Sequence, residues 1–185
     1  MADDVSAKNG AYQERVKTHG ALAIHKLFEG IIMTAIATQP KLATIGSTGK
    51  WVGNASTEIT AGEFSFTVSE PVGLGGNNSG PNPFQYLIGA FEGCIAVVIE
   101  TVAGERGLTI NAVDIDVSGT LDLRGFEGVE GVSPHFQSVT GAVTISAPID
   151  ETQCAELVEE TERRCPIYNL IKDAGVTPQI DWKLV

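Results

Sequence analysis

The sequence has few basic residues and few cysteines, and both shortages restrict what it can do. Twelve Lys and Arg stand against 23 Asp and Glu, a formal charge of -11. This is the wrong sign for contact with phosphate backbones or anionic lipids, so we expect no nucleic acid partner and no membrane partner. Three cysteines without a C-x-x-C pair predict neither a disulfide framework nor a zinc site. We therefore expect no metal and no cofactor.

The sequence also lacks a secretory signal and a membrane-spanning run. Its first ten residues, MADDVSAKNG, are acidic and polar, without the basic and apolar regions of a signal peptide, so we expect a cytoplasmic protein. The apolar run over residues 21–37 is interrupted by His25, Lys26 and Glu29. It is too short and too charged to cross a bilayer.

What is present suits one α+β domain. A chain of 185 residues with 43% hydrophobic residues is long enough for one substantial core. Helical spacing of apolar residues over 12–38 predicts one broken helix or two short ones. Alternation of apolar and polar residues predicts strands over 64–69, 113–121, 139–146 and 176–184. One-sided alternation favours an antiparallel or mixed sheet with helices on one face.

Two predicted helices lead to the cysteines of interest. The first begins at Asn82, an N-cap residue followed by Pro83 and, two positions later, Gln85, and it ends near residues 104–107. Cys94 shares one face of this helix with apolar residues and is expected to point inward. The second helix runs from about residue 150 to 164 and ends at Cys165, because a residue before proline avoids helical dihedrals.

The three cysteines differ in what their positions favour. Cys154 lies on the apolar stripe of the second helix, as expected of a small buried hydrophobe. Cys165 is expected at the N-cap of a short helix, near free backbone N–H groups and near Arg163 and Arg164, a setting that stabilises a thiolate. The same place also suits an unreactive thiol in a turn. Cys94 has apolar neighbours and, without an outside cation, is a core cysteine.

The order of these motifs resembles the OsmC/Ohr family of osmotically inducible and organic hydroperoxide resistance proteins. The resemblance extends over roughly residues 50–185. It consists of a glycine-rich loop, the start of a helix with a cysteine in its middle, and a C-P corner before a last short helix. The matching residues are Leu74, Gly75, Gly76, Asn82, Pro83, Gln85, Cys94, Cys165, Pro166 and Asn169.

The resemblance implies an OsmC-like α+β fold, with antiparallel or mixed sheets packed on two central helices in an intertwined homodimer. Residues 1–185 are then one OsmC-like domain, with a helical N-terminal extension over 1–40 and the family core over 41–185. A long apolar helix over 82–103 needs cover on more than one side, which also favours a dimer.

The resemblance also implies a cysteine-based peroxidase of oxidative and osmotic stress defence. Cys94 is then the thiolate that attacks an organic hydroperoxide or hydrogen peroxide, and becomes a sulfenic acid. Cys165 is the resolving thiol that condenses with it to a disulfide, which an external dithiol reduces.

Two positions depart from the pattern of the active members. Phe84 follows Asn82-Pro83 where those members have a glutamate, and no arginine lies between Arg15 and Arg106, where they have the activating one. Lys50 is a candidate replacement for the cation, although it lacks the planar fork of arginine. Candidate replacement carboxylates are Glu58, Glu63 and Glu92, of which Glu92 is about 200° round the helix from Cys94 and expected to face away from it.

These departures keep a second hypothesis open. The chain is then a small-molecule-binding or stress protein of the same fold, without peroxidase activity, that holds a small apolar or electrophilic molecule in the cleft. The loop GLGGNNSG, residues 73–80, lacks dinucleotide-binding spacing. We expect it to be a turn-rich loop that shapes the cleft above the Cys94 helix.

Overall fold

A computed structural model of the chain describes residues 40–185. The helix predicted within residues 12–38, and with it most of the N-terminal extension, lies outside the described residues. Along the chain the elements are strands β1 (Thr48–Gly53), β2 (Ser56–Ala61) and β3 (Phe64–Ser69), helix α1 (Pro83–Glu105), strand β4 (Ala112–Leu121), helix α2 (Leu123–Phe126), strand β5 (Phe136–Ser146), helices α3 (Glu151–Arg164) and α4 (Pro166–Asp173), and strand β6 (Gln179–Leu184).

The strands form two three-stranded sheets, which confirms the predicted α+β class. The first sheet has the order β1-β2-β3 and is antiparallel throughout. The second has the order β4-β5-β6, with β4 antiparallel and β6 parallel to β5, so it is mixed. The four predicted strands correspond to β3, β4, β5 and β6, while β1 and β2 were not predicted. Both are only six residues long, and β1 is interrupted by glycine, which weakens a period-two pattern.

Helix α1 begins where its capping residues predict. The Asn82 side chain accepts a hydrogen bond from the Gln85 backbone N–H at 2.9 Å, and the Gln85 side chain accepts one from the Asn82 N–H at 2.9 Å. This reciprocal pair satisfies two of the backbone donors that a helix start leaves free. The helix ends at Glu105, within the predicted region, and Gly107 follows with a φ of +67°.

One side of α1 forms the centre of the core. Its fully buried residues are Phe91, Ile95, Ile99, Val102 and Ala103. They join a cluster with Val139, Val143 and Ile145 of β5 and Leu157 of α3. Cys154 belongs to the same cluster with only 7% of its surface exposed, which confirms its prediction as a buried hydrophobe. Burial raises the pKa of its thiol.

Within residues 40–185 the opposite side of α1 is uncovered. Gly89, Ala90, Gly93 and Val97 are exposed there, Val97 at 62%, and a Cβ added at Gly89 or Gly93 meets no atom within 4 Å. By length and composition alone α1 also suits a membrane span, a property shared by core helices of soluble proteins. The apolar surface of α1 is therefore larger than the described residues cover.

The first sheet also has an apolar face that the described residues leave largely uncovered. Strand register places Ile59 opposite Phe66 and Ala61 opposite Phe64, and Trp51 lies opposite Thr57 on that face. Phe64 is 75% exposed and Trp51 74% exposed. The strand predicted over residues 64–69 is thus confirmed, but within the described residues its apolar side is largely uncovered. We call this surface the Trp51 face.

Thr161 has a buried hydroxyl group without a hydrogen-bond partner among the described residues. The residue is fully buried on α3. Replacing Thr161 by valine is expected to raise the melting temperature by about 2–4 °C. A buried unpaired hydroxyl costs roughly 1–3 kcal/mol, and about 1 kcal/mol gives that shift in a chain of this size. Differential scanning calorimetry measures the change.

The matched control for this substitution is Thr152 on the same helix, which is exposed. Thr152→Val is the same chemical change without the buried hydroxyl, and its effect on the free energy of unfolding is expected to stay within about 0.5 kcal/mol. A melting temperature for Thr161→Val at or below that of the control contradicts an unpaired Thr161 hydroxyl.

Candidate active site

The fold brings Cys94 and Cys165 together although 71 residues separate them. Their sulfur atoms are 3.0 Å apart, and the Cys165 thiol donates to the Cys94 sulfur. Cys94 lies in the middle of α1, at the border between its buried stripe and its exposed side, and is half-buried. Cys165 is fully buried. The two thiols are therefore in contact, with Cys94 partly open to solvent and Cys165 enclosed by protein.

Cys165 is held by the corner between α3 and α4. It is the C-cap of α3 and the N-cap of α4, in the extended conformation that Pro166 requires of its predecessor. The Asn169 side chain donates to the backbone carbonyls of Glu162 at 2.9 Å, Arg163 at 3.2 Å and Cys165 at 2.9 Å. One amide thus caps the end of α3 and fixes the Cys165 backbone.

Two aromatic rings connect the corner to α1. The Phe91 and Tyr168 rings are stacked with their centroids 6.2 Å apart. The Tyr168 backbone N–H donates to the Cys165 sulfur at 3.4 Å. Burial and the nearby Glu162 carboxylate raise the pKa of the Tyr168 phenol to about 12. Tyr168 is thus a neutral packing residue that anchors α4 beside the thiols.

Of the two alternatives left open for Cys165, a stabilised thiolate does not agree with the structure. Burial, and next the hydrogen bond to Cys94, raise the pKa of its thiol to about 11, although the backbone N–H groups of Tyr168 and Ile167 act in the opposite direction. The N-cap position was predicted correctly. The burial by α1 outweighs it, because a low-dielectric surrounding penalises the charged form.

Arg163 and Arg164, which precede Cys165, form ion pairs with carboxylates and not with the Cys165 sulfur. Arg164 forms an ion pair with Glu105 at the end of α1, and Arg163 forms one with Glu160. Both guanidinium groups therefore neutralise surface carboxylates. The prediction that they add positive charge at the Cys165 sulfur is wrong, because their own carboxylates are closer partners.

The candidate replacements for the missing arginine and glutamate are also placed. Lys50 and Glu58 face each other across β1 and β2, and Glu63 lies in the next turn, all three exposed. Glu92 accepts a hydrogen bond from the Val117 backbone N–H at 3.2 Å, which confirms that it faces away from Cys94. Among residues 40–185, none of these groups forms a hydrogen bond with either sulfur.

Phe84 borders a cavity on the side of α1 away from Cys94. Its ring contacts Phe136 edge-on with centroids 5.7 Å apart. The cavity has a volume of about 450 Å³, and its walls are mostly apolar. Its lining includes Leu74, Phe84, Ile88, Leu121, Phe126 and Phe136, with the carboxylates of Glu70 and Glu92. Neither Cys94 nor Cys165 belongs to the lining.

The glycine-rich loop contributes to this cavity through Leu74 rather than to the thiol pair. Its backbone folds back on the end of β3, where the Asn78 N–H donates to the Glu70 carbonyl at 3.2 Å. A Cβ added at Gly76 would lie only 1.6 Å from that carbonyl oxygen, so this close approach requires glycine. The expected cleft-shaping role thus applies to the cavity beside Phe84. In residues 40–185 no group of three His, Cys, Asp or Glu side chains is placed to hold a metal ion.

Comparison with known proteins adds to this geometry. A family model described as OsmC-like protein matches residues 76–181, which include both cysteines of the pair. The chain belongs to the OsmC-like family. The predicted family is thus confirmed on more than half of the chain. No curated protein matches the sequence.

Solved OsmC-like structures share the fold. An OsmC-like protein from Mycoplasma pneumoniae superimposes with a TM-score of 0.67 at 19% identity, covering 77% of this chain and 98% of that one. An organic hydroperoxide resistance protein from Elizabethkingia anophelis gives 0.62 at 17%, covering 80% and 100%. One from Legionella pneumophila, also described as a predicted redox protein, gives 0.58 at 19%, covering 78% and 98%. At these identities the likeness confirms the OsmC-like fold.

Proposed function

We propose that this OsmC-like chain is a thiol-dependent peroxidase that reduces organic hydroperoxides or hydrogen peroxide through Cys94 and Cys165. The observation that supports it is the 3.0 Å separation of the two sulfur atoms. Two thiols at that distance need only a small movement to form a disulfide. The half-buried Cys94 is the one that a peroxide can reach, and Cys165 is enclosed beside it.

The first step oxidises Cys94. Its thiolate attacks the outer oxygen of the hydroperoxide, a sulfur–oxygen bond forms and the oxygen–oxygen bond breaks. The peroxide takes up two electrons and a proton and leaves as an alcohol, or as water when the substrate is hydrogen peroxide. Cys94 remains as a sulfenic acid.

The second step closes the disulfide. The Cys165 thiolate attacks the Cys94 sulfur, and the sulfenic hydroxyl leaves as water after taking up a proton. An external dithiol then reduces the disulfide by exchange and is itself oxidised to a disulfide. Three free cysteines suit the reducing cytoplasm in which such a dithiol is kept reduced.

Cumene hydroperoxide added to the reduced protein is expected to convert Cys94 and Cys165 to one disulfide within seconds. The intact mass falls by about 2 Da, and peptide mapping finds one crosslink. Cys154 provides the internal control, because it lies on α3 away from this pair and should remain alkylatable after denaturation. The Cys94→Ser protein should show neither the mass loss nor the crosslink.

A protein whose Cys94 and Cys165 both stay alkylatable in excess hydroperoxide is not this peroxidase. The second candidate function then describes the chain better, since the cavity beside Phe84 suits a small apolar molecule. A ligand that binds only the folded protein raises its melting temperature, so apolar ligands that produce such a shift distinguish this case from an inert chain.

We also propose that the functional unit is a homodimer. Two uncovered apolar surfaces support this assembly, namely the exposed side of α1 around Gly93 and Val97, and the Trp51 face of the first sheet. Exposed apolar surface of this kind marks an interaction site on a soluble protein. A second copy of the chain presents the same surfaces and can cover both.

A further inference from the structure

The Cys94 thiolate has no fixed cation in the described part of the chain. Arg164 pairs with Glu105 and Arg163 pairs with Glu160. Lys50 is exposed on β1 opposite Glu58. A thiolate on an apolar helix face needs some partner that favours its charge. The polar group that contacts the Cys94 sulfur is the thiol of Cys165.

The surroundings of Cys165 favour a protonated thiol that donates a hydrogen bond. Its sulfur is fully buried, whereas Cys94 is half-buried, and burial disfavours the charged form of a thiol. The Tyr168 N–H donates to the Cys165 sulfur at 3.4 Å, and the Cys165 thiol donates to Cys94 at 3.0 Å. Donors in such a chain polarise and strengthen one another.

The Cys165 donor is also held in place. Asn169 binds the Cys165 carbonyl and the two carbonyls at the end of α3, and the Phe91–Tyr168 stack joins α4 to α1. A donor that is already oriented loses little freedom when its hydrogen bond strengthens. This is the quality required of a group that stabilises charge.

We propose that the Cys165 thiol is the hydrogen-bond donor that stabilises the Cys94 thiolate in this chain. Cys165 then has two successive roles, first as donor to the reduced Cys94 and later as the resolving thiol. The inference rests on the proposed peroxidase function for its purpose, but the contact itself concerns only the reduced protein.

The other charged groups on the elements packed around the pair have different partners or lie at the surface. On α1, Glu92 binds the Val117 N–H and Glu105 binds Arg164, while Glu100 is exposed. On α3, Glu160 binds Arg163, Glu162 accepts from the Trp182 ring N–H and Glu156 binds Arg106. On α4, Lys172 and Asp173 are exposed, as are Asp114 and Asp116 on β4. Among the described residues, the Cys165 thiol is therefore the polar side chain that contacts the Cys94 sulfur.

The test compares Cys165→Ser with Cys165→Ala. Serine keeps a hydroxyl that can donate, whereas alanine removes the donor. The rate at which iodoacetamide alkylates Cys94 is measured against pH by peptide mass spectrometry, because only the thiolate reacts. At neutral pH Cys94 of the alanine variant is expected to react about tenfold more slowly than Cys94 of the native protein. Loss of a hydrogen bond to a charged group raises the pKa of that group by about one unit, which lowers the thiolate fraction about tenfold. The serine variant should stay within about threefold.

Native-like circular dichroism and melting temperature for both variants exclude unfolding as the cause. An alanine variant whose Cys94 titrates like the native protein overturns the proposal, and so does a serine variant as slow as alanine. No peroxide is used, so this test remains readable if hydroperoxide fails to produce the disulfide. Conversely, if removing the Cys165 donor has no effect on Cys94, the peroxidase proposal is still tested separately by disulfide formation with cumene hydroperoxide.

Discussion

The rate at which the Cys94 sulfenic acid closes to a disulfide with Cys165 is expected to rise about tenfold for each pH unit between about pH 7 and about pH 10. Only the Cys165 thiolate can attack, and burial together with the Cys94 contact raises the pKa of this thiol to about 11. Below that pKa the thiolate is the minor form, and its fraction grows in proportion to the loss of protons. Burial is the larger cause of the shift, and we expect it to persist after Cys94 is oxidised.

Rapid acid quench followed by mass spectrometry separates the two steps. The sulfenic acid and the disulfide differ by the mass of one water, so their proportions give the closure rate at each pH. The Cys165→Ser protein is the control, because it keeps a donor to Cys94 and shows the pH dependence of the Cys94 oxidation without closure. Circular dichroism at the highest pH verifies that the protein remains folded there.

A closure rate that stays constant over this pH range contradicts a raised Cys165 pKa during the reaction. It would mean that oxidation of Cys94 opens the corner and exposes the Cys165 thiol to water. The slow closure expected at neutral pH has a chemical consequence, since a long-lived sulfenic acid has time to react with an external thiol instead of Cys165.

The helix boundaries that the sequence predicts correctly are set by residues close together in the chain. Asn82 and Gln85 cap α1 through bonds between residues three apart. Pro166 forces Cys165 out of the helical conformation at the end of α3. Local rules of this kind apply whatever the rest of the fold does, which is why the order of helices and of four strands was predictable.

The electrostatics of the thiol pair could not be predicted in this way. Arg164 pairs with Glu105, which is 59 residues away in sequence, and this pairing removes a charge that local reasoning assigned to Cys165. The burial of Cys165 likewise comes from α1, which lies far away in the chain. The pKa of a side chain depends on the groups that the fold brings to it, so a favourable N-cap position was insufficient.

The β1–β2 hairpin and the cavity beside Phe84 were missed for related reasons. The hairpin turns through Gly53, Asn54 and Ala55, all with positive φ. Glycine and asparagine are common in this conformation, but alanine is not. The cavity combines α1 with the end of β4 and with α2, and no local pattern indicates that these segments meet. Phe84 was recognised only as a departure from the family, whereas the structure makes it a wall of this space.

The Val97→Glu protein is expected to be largely monomeric at micromolar concentration, whereas the native protein is expected to be a dimer. In the single chain Val97 is 62% exposed, so a glutamate there remains in water and should leave the fold intact. In a symmetric dimer that uses this side of α1 the substitution occurs twice and buries two carboxylates. An unpaired buried charge costs roughly 3–5 kcal/mol, which is enough to weaken association by more than about a hundredfold.

Analytical ultracentrifugation distinguishes the two states, because the chain mass is 19.5 kDa and the dimer has twice that mass. Ala155→Glu is the matched control, since Ala155 is exposed on α3 and the substitution adds the same charge away from α1. The control should remain dimeric. A native protein that sediments as a monomer contradicts the dimer proposal, while a Val97→Glu protein as dimeric as the control assigns the interface to the Trp51 face instead.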